Sequence, residues 1–519
     1  APSAVHCRVR VGRRRGRGAA HAGRGDDRGV SKDQVSRGAR GKTGDRRPGG
    51  KSASATGVRP QSGATQRGTP AHQQGGSRTE EPAGLGARRM AVRLIEAVLV
   101  SGHALDDALA IAERSRDGQA LEARDRAFAR LMAATVLRRL GSLDAVLLRF
   151  LERPLPATAV RARSILLIGS VQILLIGTPV HAAINLAVEQ CRRDVRASRF
   201  DKLANAVLRR VAREGADALG ALDHPKCDVP EWLWQRWGAS YGEATARRIA
   251  VASLVEAPLD ITAKADAAGW AERFGGTLLS TGSIRLAEAG RINELAGFVE
   301  GAWWVQDAAA ALPARLLGPV AGLRVADLCA APGGKTAELA AAGAHVTAVD
   351  QSRERLQRLG DNMARLGFSE RVAPVAADVA GWRTDQPFDA VLLDAPCLST
   401  GTVRRHPDLM HLKRPSDLGR IVALQGNLLA AAARLARPAG RLVYCVCSLE
   451  REEGEGVVDA FLAAHPGFRR DPVSPAEVGD NAAWTPPTGA LRRLPSHEPL
   501  PGVEGMDGFF AARLVNSIT

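Results

Sequence analysis

Between Ala87 and Ala218 apolar residues return every three or four positions. Met90, Val92, Leu94, Ile95, Val98 and Leu99 fall mostly on one helical face. Further helices are predicted over Leu105–Ala112, Ala123–Leu140, Asp144–Leu151, Val160–Ile176, Val180–Arg192 and Phe200–Arg213. Gly102, Gly118, Gly141, Pro154, Pro156, Gly177 and Pro179 separate them. The pattern predicts an all-α bundle over residues 85–220. The longest apolar run, Ile165 to Ile176, is broken by Gly169, Ser170 and Gln172, so it reads as a buried helix and not a membrane span.

From Leu323 the pattern changes. Short apolar runs at Leu323–Leu328, His345–Val349, Val372–Ala377, Ala390–Leu393 and Arg441–Val446 read as strands, with helices between them at Arg353–Leu366 and Pro415–Leu435. Such alternation predicts a doubly wound, mostly parallel α/β sheet over 311–519, in which ligands sit at the carboxyl ends of strands. Asp350, Asp378, Asp394 and Cys447 all stand at or just past those ends. Residues 221–310 read as a linker and a small α/β subdomain. Its Trp232, Trp234 and Trp237 are expected as packing anchors.

Composition changes the picture mainly at the N-terminus. The chain carries 71 Lys+Arg and 55 Asp+Glu, a net +16. Residues 1–84 hold 18 of these bases and 6 of these acids, so +12 belongs there and +4 to the rest. That segment is rich in Gly and Arg and poor in large apolar residues, so it is expected to be a disordered basic tail with nonspecific affinity for phosphate at most. Seven cysteines without a Cys-x-x-Cys pair suggest neither a disulfide framework nor a zinc site. No metal is expected. With no apolar leader evident, the protein is expected to be cytoplasmic with reduced thiols.

The most informative stretch is Asp327-Leu328-Cys329-Ala330-Ala331-Pro332-Gly333-Gly334-Lys335-Thr336, on a predicted strand-to-helix turn. A P-loop needs glycine where Cys329 stands, and a dinucleotide fingerprint needs G-x-G-x-x-G, which is absent. Asp350, ending the second strand, is placed to accept from ribose hydroxyls. The whole string resembles the cofactor loop of S-adenosylmethionine-dependent RNA (cytosine-5) methyltransferases. In the helical part, Ala123–Phe128, Pro179–Asn185 and Leu203–Arg210 resemble the NusB-type RNA-binding fold. Asn185 and Asn205 are expected there as buried hydrogen-bonding positions. A NusB-like bundle joined to a Rossmann-like methyltransferase is the arrangement of the B-type bacterial 16S ribosomal RNA (cytosine-5) methyltransferases.

The resemblance implies the roles. S-adenosylmethionine is the cofactor. Cys329, Ala330, Ala331, Pro332, Gly333, Gly334, Lys335, Asp350, Asp378 and Asp394 bind it, with Lys335 at the methionine carboxylate and Asp378 at the adenine edge. Cytosine C5 becomes nucleophilic after a thiolate adds to C6. In this family the cysteine of a T-C-S-like segment is that nucleophile, here Cys447 with Val446 in place of the threonine, and the cysteine after proline, here Cys397, assists proton removal and release. Asp394 binds the N3 edge. Spacing does not exclude the reverse order, with Cys397 attacking as in DNA cytosine-5 methyltransferases. Cys445, inside the same strand, is expected to be core.

Gln306-Asp307 would help to seat the methionine end. Arg404, Arg405 and His406 are candidates for RNA phosphate contact or for a solvated basic loop. Asp260 replaces an arginine usual in the family's small subdomain, which puts one RNA contact in doubt. The substrate implied is 16S ribosomal RNA, free or in an early assembly particle, acted on by a monomer. Transfer RNA, or a noncatalytic assembly role, are the alternatives.

Overall fold

In the computed structural model the described residues are 81–287, 290–498, 500, 503 and 505–517. Nearly all of the predicted basic tail lies outside them. The helical part comprises α1 (Leu85–Leu99), α2 (Leu105–Arg114), α3 (Arg116–Gln119), α4 (Ala123–Arg138), α5 (Leu140–Phe150), α6 (Val160–Val171), α7 (Val180–Arg193) and α8 (Asp201–Gly220). α1 buries Leu85, Met90, Ala91, Leu94, Ile95 and Val98, the stripe its spacing predicts. α6 is the centre of the bundle. It buries Ile165 through Val171 on all sides, and a Cβ on its Gly169 would lie 2.7 Å from Leu208 of α8. A π-helical turn over Gln172–Ile176 extends it, so the predicted helix has the right span in two geometries.

The two helices predicted over Ala123–Leu140 and Asp144–Leu151 are α4 and α5, but the second begins four residues earlier than predicted. The chain bends at Arg139 and α5 starts directly after. The cause is a distant residue. Buried Asp228 accepts from Ser142 N at 2.6 Å and from Arg139 Nε at 2.8 Å, so it caps the new helix. Gly141 allows this approach, since a Cβ there would lie 1.8 Å from the Cys227 carbonyl oxygen. The expected burial of two asparagines fails. Asn185 is exposed and Asn205 half-buried. Both line a groove of about 440 Å³ with Pro82, Glu189, Arg192 and Lys202, because each sits on the outward side of its helix.

α9 (His224–Asp228), α10 (Glu231–Tyr241) and α11 (Glu243–Ser253) follow, packed around Leu233, Trp237, Ala246 and Ile249. Trp237 is buried, and Trp232 and Trp234 pack against the same cluster, as anchors should. A four-stranded antiparallel sheet comes next, β1 (Leu259–Ala263), β2 (Thr277–Leu278), β3 (Ile284–Leu286) and β4 (Trp303–Val305), in the order β2-β3-β1-β4. α12 (Ala267–Phe274) covers it over Ile261, Ile284 and Trp303.

The second sheet has eight strands: β5 (Arg324–Leu328), β6 (His345–Asp350), β7 (Val372–Ala376), β8 (Phe388–Asp394), β9 (Ala436–Val446), β10 (Phe468–Asp471), β11 (Leu491–Arg493) and β12 (Phe509–Asn516). Their order is β10-β12-β9-β8-β5-β6-β7, with β11 also on β12. β5 to β9 are parallel, while β12 runs antiparallel to β9. The sheet is therefore mixed.

Alternate residues face opposite sides. Val325, Ala348, Leu392 and Val443 meet α13 (Leu312–Arg315), α14 (Gly334–Ala341) and α15 (Arg353–Arg365) on one face. Ala326, Leu328, Leu393 and Tyr444 meet α17 (Leu418–Ala433) and α18 (Val457–Ala464) on the other. Short α16 (Leu409–Leu412) lies between β8 and α17 in sequence. From β5 the chain builds β6 and β7 on one side and then returns to place β8 on the other. The order thus reverses beside β5, and a crevice opens at the carboxyl ends of β5 and β8. Everything from Pro82 onward among the described residues belongs to one compact unit. Among them no helix is long and apolar enough to cross a membrane.

Candidate active site

β5 ends because Cys329 turns to φ 58 and Ala330 N pairs with the Val349 carbonyl at 3.1 Å, which leads the chain off the sheet. A non-glycine residue held at positive φ is strained, and such strain gathers at functional sites. Gly333 has φ 104 and would place a Cβ 2.9 Å from Leu359 of α15, so the loop lies flat against that helix. α14 then starts at Gly334, and its first N–H groups have no partner within the helix. Cys329, Pro332, Gly334 and Lys335 keep some exposure, while Ala330, Ala331 and Gly333 are buried.

Asp350 ends β6 and is 2% exposed. It accepts from Ala331 N at 3.2 Å and Ser352 N at 2.9 Å, one bond to each oxygen. Each oxygen keeps a second lone pair, so the group suits a pair of ribose hydroxyls as well as bracing the loop. Arg355 of α15 lies 3.5 Å from the same carboxylate and donates to the Ala331 carbonyl. Asp378 lies just past β7. It is exposed and accepts from Ala380 N at 3.1 Å, so it caps its own turn while facing solvent. A glycine loop, an unpaired helix start and a carboxylate at the neighbouring strand tip fit a nucleoside cofactor with a carboxylate tail.

Lys335 does not project freely from the loop. Its Nζ donates to Asp394 Oδ2 at 2.7 Å, at the tip of β8. Burial opposes its charge, but Asp394 outweighs that and holds its pKa above the usual value. Asp394 Oδ1 lies 3.5 Å from the Cys445 thiol. Cys445 is buried, as expected, and burial followed by Asp394 pushes its pKa well up. Cys329 is likewise pushed up to about 12 by burial.

Cys447 and Cys397 meet here with their sulfurs 3.5 Å apart. Cys447 is half-buried and Cys397 buried. Their acidities separate. A hydrogen bond from Cys397 lowers the pKa of Cys447, helped by Ser399 and Lys335, against burial and Asp394. Cys397 is raised well above its usual value by that same bond, by burial and by Glu453. The more accessible sulfur is therefore the better thiolate, with a thiol donor beside it.

Sequence reasoning overlooked what holds these thiols. Glu453 is fully buried. It accepts from Leu398 N at 3.0 Å, Gln425 Nε2 at 2.8 Å and Ser448 Oγ at 2.6 Å. It thereby ties the segment after Cys397 to the segment after Cys447. Gly401 N donates to the Cys447 carbonyl at 3.0 Å, and Gly508 N to the Gly401 carbonyl at 2.8 Å. A Cβ on Gly401 would lie 2.1 Å from the Gly508 oxygen, so glycine is required. The acidic run Glu450–Glu455 held the only sequence signal for Glu453, and a surface face is the ordinary reading of such a run. Asp327, at the head of the loop string, has a second unforeseen environment. It is buried, pushed up to about 7 by burial, and accepts from Thr336 Oγ1 at 2.6 Å.

Two expectations near the site are overturned. Arg404 and Arg405 form neither a solvated loop nor a phosphate contact. Arg404 is 3% exposed and donates to Asp507 and Asp307, each at 2.8 Å. Arg405 pairs with the same two carboxylates and approaches Asp260 at 3.8 Å. Asp260 is itself held by Arg285 through bonds of 2.8 and 2.9 Å. The aspartate that replaces an arginine thus belongs to a buried charge network. Asp307 is consumed by that network and is not free for a cofactor. Gln306 does reach the cofactor helix, donating to Glu338 at 3.0 Å and packing 3.6 Å from a Cβ built on Gly334. His406, by contrast, is exposed near Asp106.

Residues 314–515 match a family model described as 16S rRNA methyltransferase RsmB/F, and residues 85–213 match that of the NusB family. The chain is 36% identical over 450 residues to ribosomal RNA small subunit methyltransferase B of Xanthomonas campestris, covering 84% of this chain and 98% of that protein. The protein of the same name from Vibrio cholerae is 32% identical over 450 residues, covering 83% and 97%. The crystal structure of PH0851 shares the fold, with a TM-score of 0.63 and 23% identity over 84% of this chain and 99% of that one. The NusB match precedes the methyltransferase match along the chain, and relatives align along nearly their whole length, so the chain belongs to the ribosomal RNA small subunit methyltransferase B family.

Proposed function

We propose that this S-adenosylmethionine-dependent methyltransferase methylates C5 of one cytosine in 16S ribosomal RNA, with Cys447 as the nucleophile. The observation that carries the reading is the pair of thiols 3.5 Å apart beside Asp394, with the accessible Cys447 the more acidic of the two. The substrate class follows from the named relatives. The protein would act as a cytoplasmic monomer on free RNA or an early assembly particle.

The loop from Cys329 to Lys335, with Asp350 and Asp378, would hold the cofactor. When bound, it supplies an electrophilic methyl group. A target base has to be unstacked to reach the crevice. Cys447 thiolate adds to C6, and the electron pair of the C5–C6 bond becomes available at C5, where it would form the new bond to the methyl group that the cofactor supplies. The Lys335–Asp394 pair offers a donor for N3 and an acceptor for the neighbouring exocyclic amine. Once Cys447 is bonded to carbon it carries no charge, so the neighbour that raised the Cys397 pKa is gone. Cys397 can then pass its proton to water and accept the C5 proton. The C6–S bond breaks, the double bond re-forms, and Cys447 leaves as thiolate.

The test uses 16S ribosomal RNA lacking the modification, with transfer RNA as the comparison. Methyl incorporation is expected into the ribosomal RNA. Cys397→Ala should accumulate an enzyme–RNA adduct that survives a denaturing gel, and Cys447→Ala should form none. The reverse pattern would make Cys397 the nucleophile. Wild-type activity in both variants would remove thiol catalysis altogether.

A further inference from the structure

Helix α2 starts without a cap of its own. Ala104 precedes it and has no side chain that can accept. The first amide of the helix, Leu105 N, donates instead to Asp408 Oδ2 at 3.0 Å, from 303 residues away. Asp408 is 3% exposed. A carboxylate there satisfies an orphan donor and meets the positive end of the helix dipole. Asp408 lies on the chain that runs on from Cys397 toward α16.

The same segment meets the other end of a second helix. Arg138, the last residue of α4, is 6% exposed and donates from Nη2 to the Arg404 carbonyl at 2.9 Å. His411 Nε2 lies 2.8 Å from the Leu137 carbonyl. That oxygen only accepts, so Nε2 carries the proton. Burial lowers the His411 pKa, which keeps the ring neutral. Leu412 packs against the apolar core of the helical bundle. At its start the segment is fastened to the methyltransferase site through Leu398 N, Thr400 and Gly401 N. One stretch, residues 397–412, therefore carries a reacting thiol at one end and grips the bundle at the other.

Two of the bundle atoms involved, Leu105 N and the Leu137 carbonyl, are backbone groups, and Arg138 projects from the same helix end. Such groups move only with their helices. We propose that α2 and α4 hold residues 397–412 in the shape that sets Cys397 against Cys447. The helical bundle then contributes to the chemical step as well as to RNA binding. Asp408, Arg138 and His411 are positioning residues, since none touches the reacting atoms. The inference rests on the reading of Cys447 and Cys397 as the reacting thiols.

The experiment measures single-turnover methyl transfer by the full chain, at saturating RNA and cofactor, alongside thermal unfolding. Asp408→Ala should slow transfer by about tenfold or more, since small misplacements of reacting groups cost rates of this order. KM for RNA and for cofactor should stay unchanged. Asp408→Asn keeps a capping oxygen and should restore most of the rate. A purely structural role would lower the melting temperature without this split between rate and KM. If Asp408→Ala does not fold, His411→Ala, which loses one hydrogen bond, takes its place with the same expectation. Wild-type single-turnover rates in the folded variants would overturn the coupling. Cys447→Ala in the same assay tests the underlying reading by itself: full transfer there would sink that reading whatever the Asp408 variants do.

Discussion

Removing Cys397 should make Cys447 a weaker acid. In Cys397→Ala the S–H···S contact of 3.5 Å is lost, and that bond is the largest influence lowering the Cys447 pKa. Hydrogen bonds to charged groups contribute about 1.5–3 kcal/mol, and a thiol is a weak donor, so the low end applies. Losing that bond therefore raises the Cys447 pKa, and about 1.4 kcal/mol is a factor of ten in the thiolate equilibrium. Below both pKa values its thiolate fraction then falls about tenfold. Nucleophilicity rises with basicity at a slope of about 0.4–0.5, so the net loss of alkylation rate is about three- to fourfold. The assay is iodoacetamide labelling across pH, read at the Cys447 peptide by mass spectrometry. Cys329 and Cys445 do not compete, because burial pushes both thiols up. An unchanged Cys447 profile in the variant would refute the reasoning. So would finding that Cys397 is alkylated first in the wild type.

Asp350→Ala should weaken cofactor binding by about 1–3 kcal/mol, from the loss of charge-assisted bonds to ribose, without loss of RNA affinity; calorimetry with each ligand checks this. Asp327 is an acid whose folded pKa, about 7, lies above its unfolded value. Its contribution to stability is therefore fully present below about pH 4 and is lost as pH rises through about 7, by at most about 4 kcal/mol. Asp327→Asn should remove that slope and gain stability relative to wild type above about pH 7, measured by urea denaturation at several pH values. Arg404→Ala strips Asp307 and Asp507 of a buried partner and should cost about 3–5 kcal/mol in the same denaturation experiment. A loss below about 1 kcal/mol would mean that Arg405 alone suffices for both carboxylates.

The parts of the site that were legible are those written in contiguous residues. The run from Asp327 to Thr336 specifies a strand, a turn and a helix start, and the turn it forms is the one its glycines allow. Asp350, Asp394 and Cys447 stand at or beside strand ends because alternating apolar runs mark where each strand stops. Arg404 and Arg405 were illegible for the opposite reason. Two arginines next to a histidine after a Ser-Thr-Gly-Thr turn read as a wet loop, and only carboxylates about a hundred residues away, Asp307 and Asp507, draw them inside. Asn185 and Asn205 failed because a helix pattern gives a face but not which face meets a neighbour.

By itself the sequence determined the helical bundle, the two α/β regions and the strand-to-helix turn from Asp327 to Thr336. These depend on short-range periodicity and on the backbone freedom of glycine, which act within a few residues. Tertiary structure alone brought the two sulfurs within 3.5 Å of each other, the contact that does most to separate their acidities, with Lys335, Ser399 and Glu453 around them. It also decided where α5 begins and what caps α2 and α5, through Asp408 and Asp228. Charges and hydrogen bonds act through space, and their strength is set by burial, which no stretch of sequence carries on its own.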